Sequence, residues 1–211
     1  MGKLVIEKDL GGIEGLCTII PHLYGDKRGS FMETFNQKDL EDEGIYVDFV
    51  QDNQSTSVNG VLRGLHFQVK HPQAKLVRIL RGEVFDVAVD IRPGSKTFGK
   101  WHGEILSEAN RKQMLIPAGF AHGFLVLSEY ATFFYKCDDF YHPDDESGLP
   151  WNDSDIGIEW PEITLAHNEI TGADEYVLGS GVPLMLSKKD KEWRSFKEYL
   201  AENNIDWEGI K

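Results

Sequence analysis

Two cysteines, Cys17 and Cys137, in 211 residues are too few for a disulfide framework, and without a CxxC spacing they suggest no zinc site. Both read as reduced packing residues. No stretch approaches the roughly 18 apolar residues that a membrane span requires, and the opening MGKLVIEKDLGGIEG has a lysine but no apolar h-region. The expectation is therefore a cytoplasmic protein, in which the sequons at Asn53 and Asn152 carry no meaning. Low-complexity tracts and long internal repeats are missing too. Among the seven histidines there is no His-x-His pair, the arrangement by which same-face neighbours chelate a metal in many barrels. His66 and His71 differ in strand parity, and His102, His122, His142 and His167 look scattered, so no metal and no cofactor is expected. Positive charge is scarce: 22 Lys and Arg stand against 35 Asp and Glu, a net charge of -13. Nucleic acid and anionic membranes repel such a surface. An anionic ligand would have to be held by a few local cations, which directs attention to Arg28, Arg63, Lys75 and Arg78.

What the chain has in quantity is strand. The length suits one domain with one core, taken as 1–211. From Lys75 to Tyr141 short β-rich segments such as KLVRILRG, EVFDVAVDI and HGFLVLS recur about every ten residues, separated by turn signals such as RPGSKTFG, SEAN and PAG. Strands do not alternate with long helical patterns, which argues against a parallel doubly wound sheet. An all-β jelly-roll barrel fits best, with its core at about 20–161. NQKDLEDEG, at 36–44, offers an Asn cap and a closing Gly for a short helix. A C-terminal helix is expected over 187–204, with Trp193, Phe196, Tyr199 and Leu200 on one face behind a Ser187 cap. Residues 162–185 read as a loop or small insertion.

The stretch VLRGLHFQ, residues 61–68, places Arg63, Gly64 and His66 inside a strand-like run. Parity puts Arg63 and His66 on opposite faces unless Gly64 marks a bulge that re-aims one of them. In VFDVAVDI, Asp86 shares a face with Val84 and Ala88, opposite Phe85, Val87 and Val89. Tyr135 and Tyr141 share a face with Cys137 if their strand runs unbroken. An imidazole titrating near neutrality suits proton abstraction, and Asp86, Asp190 or His122 are candidates to orient it. Ordinary explanations exist for each taken singly: Asp190 stands three residues after Ser187, a capping-box spacing. His122 suits a turn, and the tyrosines suit a core.

Together DKRGSFMETF, FVQDNQS, VLRGLHFQ, QAKLVRILRGEVFDVAVDIR, TFGKW, IPAGFAHGFLVLS, YKCDDFY, WNDSDIGIEWP and LSKKD resemble the dTDP-4-dehydrorhamnose 3,5-epimerase family, in order from about residue 20 to 161 and again at 186–190. The resemblance implies a cupin-like jelly roll, a homodimer, no metal, and epimerisation of a dTDP-linked 4-keto-6-deoxy sugar on the route to dTDP-L-rhamnose. Carried over residue by residue, it makes His66 the base with Asp190 as partner, Tyr135 the acid on the opposite face, and Lys75 the cation beside the C4 oxygen. His122 and Asp86 support these groups, and Tyr141 lies near the sugar or nucleobase. Arg63, Gln51 and Asn53 are implied contacts of the diphosphate or nucleotide. Arg28, Phe31 and Glu33 are implied near the site, across a dimer interface among the possibilities. The segment 162–185 is longer than the family pattern. Two other readings share these parts: an epimerase acting at C3 or C5 alone, and a sugar-nucleotide-binding module without catalysis. Retention of both His66 and Tyr135 speaks against the second, since binding needs no acid–base pair.

Overall fold

The computed structural model describes residues 4–169 and 171–205. Its strands are β1 (Val5–Glu7), β2 (Cys17–Ile20), β3 (Leu23–Asp26), β4 (Gly29–Met32), β5 (Gln51–Val58), β6 (Leu62–Gln68), β7 (Lys75–Arg81), β8 (Glu83–Asp90), β9 (Trp101–Ser107), β10 (Gln113–Ile116), β11 (Phe120–Val126), β12 (Tyr130–Cys137), β13 (Glu146–Gly148), β14 (Ile163–Asn168) and β15 (Ala173–Leu178). Two antiparallel sheets carry the fold, one ordered β1-β2-β10-β7-β12-β5 and the other β13-β6-β11-β8-β9. This is the expected all-β jelly roll.

Alternation of side chains explains how the sheets stack. Val77 and Ile79 of β7, Met114 of β10 and Phe133 of β12 meet Val84 and Ala88 of β8, Phe124 of β11 and Leu106 of β9 in one buried cluster. The odd positions of β8, Val87 and Val89, turn to the outer face with Leu65 and Phe67 of β6, where the C-terminal segment covers them. On the outside of the six-stranded sheet, Cys17, Ile19, Leu76 and Leu115 pack under Leu40 of α1 (Gln37–Asp42). Asn36 caps that helix by accepting from the N–H groups of Lys38 and Asp39, and Gly44 follows it in the left-handed region. Both free cysteines are buried.

Two stretches differ from expectation. Residues 163–178, read as loop, form an antiparallel hairpin in which Ile163 pairs with Leu178 and Asn168 with Ala173. The helix expected over 187–204 is broken. Ser187 sits ahead of a single 3-10 turn, Lys189–Lys191, and the helix α2 spans only Phe196–Glu202. The physical reason is a second cap: Ser195 and Glu198 bond each other's backbone N–H in a capping box, which starts a new helix there. Phe196, Tyr199 and Leu200 stay buried, while Trp193 lies outside the helix and packs on the backbone of Gly148, where a Cβ would come within 2.4 Å of its ring. No helix among the described residues is long and apolar enough to cross a membrane.

Candidate active site

The register between β6 and β11 answers the parity question. His66 stands opposite His122 and Arg63 opposite Phe124, so three steps along β6 match two along β11, and β6 carries one extra residue. Gly64 occupies the bulge with φ near 131°, and a Cβ there would fall 2.5 Å from the Cα of Gly123. The close approach of the two backbones thus requires glycine. With the extra residue in place, Arg63 and His66 line one cavity, and Leu65 and Phe67 pack in the outer cluster.

That cavity, of about 460 Å³, opens between the sheets. His66 and His122 reach it from the five-stranded sheet, and Gln51, Asn53, Lys75 and Tyr135 from the six-stranded sheet. His66 Nε2 lies 2.5 Å from Asp190 Oδ1. Asp190 is 3% exposed and also accepts from the Ser187 hydroxyl at 2.7 Å and the Trp193 indole at 3.3 Å. Burial alone would raise its pKa, but the hydrogen bond and charge of His66, with Ser187 and Trp193, outweigh it and hold the carboxyl below its ordinary value. Of the two readings of Asp190, the geometry favours the partner of His66: its N–H donates to Ser187 Oγ at 3.1 Å, but its carboxylate faces His66, and the last helix is capped by Ser195 and Glu198. With Nε2 engaged, Nδ1 is the nitrogen left to accept a proton.

Across the cavity, Tyr135 packs edge-on to Phe133. Burial raises its pKa, so the phenol is protonated at neutral pH. Lys75 pairs in register with Cys137, two residues beyond Tyr135. Desolvation lowers the Lys75 pKa, opposed by nearby acidic groups that include Asp86 and Glu146. Cys137, pushed to about 11 chiefly by burial, is a neutral thiol at neutral pH, so the two carboxylates are the charges that support the ammonium. Arg63 donates to the Ser57 hydroxyl at 3.0 Å and has no carboxylate partner among the described residues. A guanidinium left without a counter-ion beside Gln51 and Asn53 suits a diphosphate.

Several residues sit differently from expectation. Asp86 does not line the cavity; it is fully buried behind it and accepts from His122 Nε2 with both oxygens at 3.0 Å, so it holds the imidazole and not a ligand. Tyr141 does line the cavity, but β12 stops at Cys137 and the loop after it brings the ring there. Its hydroxyl donates to Glu146 at 3.0 Å, and Glu146 pairs with Lys189 at 2.6 Å. Glu146 and Lys189 are cavity residues that strand periodicity does not reveal, because both follow loops; Lys189 stands inside the LSKKD match. Arg28, Phe31 and Glu33 are not brought to this cavity within one chain. Arg28 and Phe31 belong to the β3–β4 hairpin, where Arg28 is paired with Asp26 and Phe31 is 61% exposed. Glu33 follows that hairpin and bonds Asn36.

A sequence profile for dTDP-4-dehydrorhamnose 3,5-epimerase matches residues 11–198. The chain belongs to that family. The family's enzyme from Methanothermobacter thermautotrophicus is 50% identical over 186 residues, 88% of this chain and 92% of its own length. That of Pseudomonas aeruginosa is 58% identical over 142 residues, 67% of this chain and 78% of the relative. A crystal structure of the dTDP-6-deoxy-D-glucose-3,5-epimerase of Legionella pneumophila, in complex with dTDP-4-keto-L-rhamnose, superposes with a TM-score of 0.81 at 47% identity, covering 95% of this chain and 96% of that one. The epimerase family resemblance read from the motifs is thereby established.

Proposed function

We propose that the chain inverts C3 and C5 of dTDP-4-dehydro-6-deoxy-D-glucose to give dTDP-4-dehydro-L-rhamnose. The observation that carries this reading is the placement of a hydrogen-bonded His66–Asp190 pair and a protonated Tyr135 on opposite sheets of one cavity. Inversion needs a base on one face of the sugar and an acid on the other.

Hydrogens at C3 and C5 are acidic because the C4 ketone delocalises the carbanion onto its oxygen. His66 takes the proton, and Asp190 orients the ring and stabilises the imidazolium. The C–H electron pair moves into the enolate, whose oxygen gathers charge beside Lys75, a contact stronger in the transition state than in the ketone. Tyr135 then protonates the carbon from the far side and is left as phenolate. Exchange of both side chains with solvent restores the starting protonation before the second carbon reacts. Arg63, Gln51 and Asn53 hold the diphosphate, with His122, fixed by Asp86, and Tyr141 completing the pocket. No cofactor enters these steps. The exposed β3–β4 hairpin, with Arg28 and Phe31, completes the cavity of the second copy in a homodimer, and Glu33 follows it there.

Incubation with dTDP-4-dehydro-6-deoxy-D-glucose in deuterated water tests the reading by locating the label. Deuterium at both C3 and C5 is expected. Label at one carbon would replace the double epimerase by a single one, and label at neither would defeat the proposal.

A further inference from the structure

His71 and His142, which look scattered in the sequence, are stacked in the fold, with ring centroids 4.0 Å apart and planes inclined by 20°. Asp139 Oδ2 lies 3.8 Å from His71 Nδ1, and one donor atom from each of the three residues falls within 4.8 Å of the others. The other oxygen of Asp139 accepts from the N–H of Phe140 at 2.7 Å, which leaves Oδ2 facing the imidazoles. One buried side chain ties the two histidine-bearing loops together: Gln68 donates to the His71 carbonyl at 2.7 Å and accepts from the His142 N–H at 2.6 Å. Asp145 adds a second clasp by accepting from the N–H groups of Lys70 and His71. Gln73 adds a third, donating to the Asp139 carbonyl at 2.7 Å. The backbone beneath the three side chains is thus held in place.

We propose that His71, Asp139 and His142 bind one divalent transition-metal ion, zinc(II) foremost, outside the catalytic cavity. Two imidazole nitrogens and one carboxylate oxygen suit zinc, cobalt or nickel, whereas magnesium and calcium prefer oxygen alone. Tetrahedral bonds of about 2.0–2.2 Å require donor atoms roughly 3.3–3.6 Å apart. The side chains of His71 and Asp139 are 46% and 41% exposed, so rotation about their own torsions can close that gap, and water fills the remaining position. Charge favours the ion as well. The turn DDFYHPDD, at 138–145, carries Asp138, Asp139, Asp144 and Asp145 and no lysine or arginine, a field that attracts a dication. The ion takes no part in the proton transfers. It clips the loop that carries Tyr141 to the one that carries His71.

The test is calorimetric titration of the untagged, chelator-stripped full chain with zinc chloride, alongside thermal melting with and without the metal. Wild type is expected to take up one ion per chain and to melt higher with zinc. His71→Ala and His142→Ala should each weaken binding on the order of tenfold or more and lose the zinc-dependent rise in melting temperature. His71→Gln and His142→Gln retain bulk and hydrogen bonding and guard against a packing artefact. They should lose zinc in the same way while melting like wild type without it. Absence of binding below about 1 mM zinc, or undiminished binding in the Gln variants, would overturn the proposal; the second result would move the ion to other ligands.

Discussion

A histidine becomes a directed base only when something fixes its ring, and His66 is fixed by a carboxylate that is itself held by Ser187 and Trp193. The proposed separation of roles between His66 and Tyr135 gives a sharp expectation. His66→Ala should abolish both solvent exchange and product, because the proposed base is removed. Tyr135→Phe keeps the ring against Phe133 but deletes the hydroxyl, so deuterium should still enter the sugar while inversion falls sharply. Wild-type product formation by Tyr135→Phe, read by NMR of the product, would refute the assignment. Asp190 gives a second expectation. Its folded pKa is depressed, so its contribution to stability is full above the unfolded value of about 3.9 and is lost as pH falls through the lower folded value. Asp190→Asn should therefore lower the urea midpoint at neutral pH, and the gap from wild type should shrink as pH falls below the unfolded value of about 3.9. That His66, Lys75 and Tyr135 line one cavity agrees with their reading as candidates. Asp86 was read as a supporting group, and it holds His122; its place behind the cavity wall was not legible, since a buried carboxylate and one lining a cavity share the same strand parity.

At the scale of the element, β7 to β12 were read well because β-branched and aromatic runs bounded by turn residues mark them whether or not their partners are known. Helix ends were read less well. Ser187-x-x-Asp190 and Ser195-x-x-Glu198 both have the spacing of a capping box, and only the second has reciprocal bonds. Asp190 is spent on His66 instead, a tertiary contact that local sequence does not announce. The bulge in β6 is the element on which the site depends most, since without its extra residue Arg63 and His66 would part to opposite faces. Gly64→Ala would drive a Cβ to 2.5 Å from the Cα of Gly123 in a backbone conformation that favours glycine. The expected loss is about 2–4 kcal/mol of stability, with larger damage to turnover than other mutations of equal cost. Denaturant unfolding and kinetics on one preparation check both. A variant with unchanged stability and activity would remove the bulge from the argument.

At the scale of the whole molecule, the jelly roll was legible from strand spacing, whereas the meeting of loop residues was not. His71 reaches His142, and Glu146 reaches Lys189, only after two sheets have closed. The remaining gap concerns Arg28 and Phe31, which family resemblance puts near the site and which lie on an exposed hairpin outside the cavity of their own chain. A homodimer in which each hairpin serves its partner reconciles the two, and subunit mixing can decide it. His66→Ala lacks the proposed base, and the double variant Arg28→Ala/Phe31→Ala lacks the hairpin's contribution; each alone should be nearly inactive. In a mixed dimer with exchanged hairpins, one cavity collects both defects and the other collects neither. Equal amounts allowed to exchange at random form half mixed dimers, so roughly a quarter of all sites should be intact. A hairpin serving its own chain leaves every site in the mixed dimer defective, and a monomer does the same. Recovery of activity on mixing thus speaks for the exchanged hairpin, and no recovery after exchange verified by native mass spectrometry would rule it out.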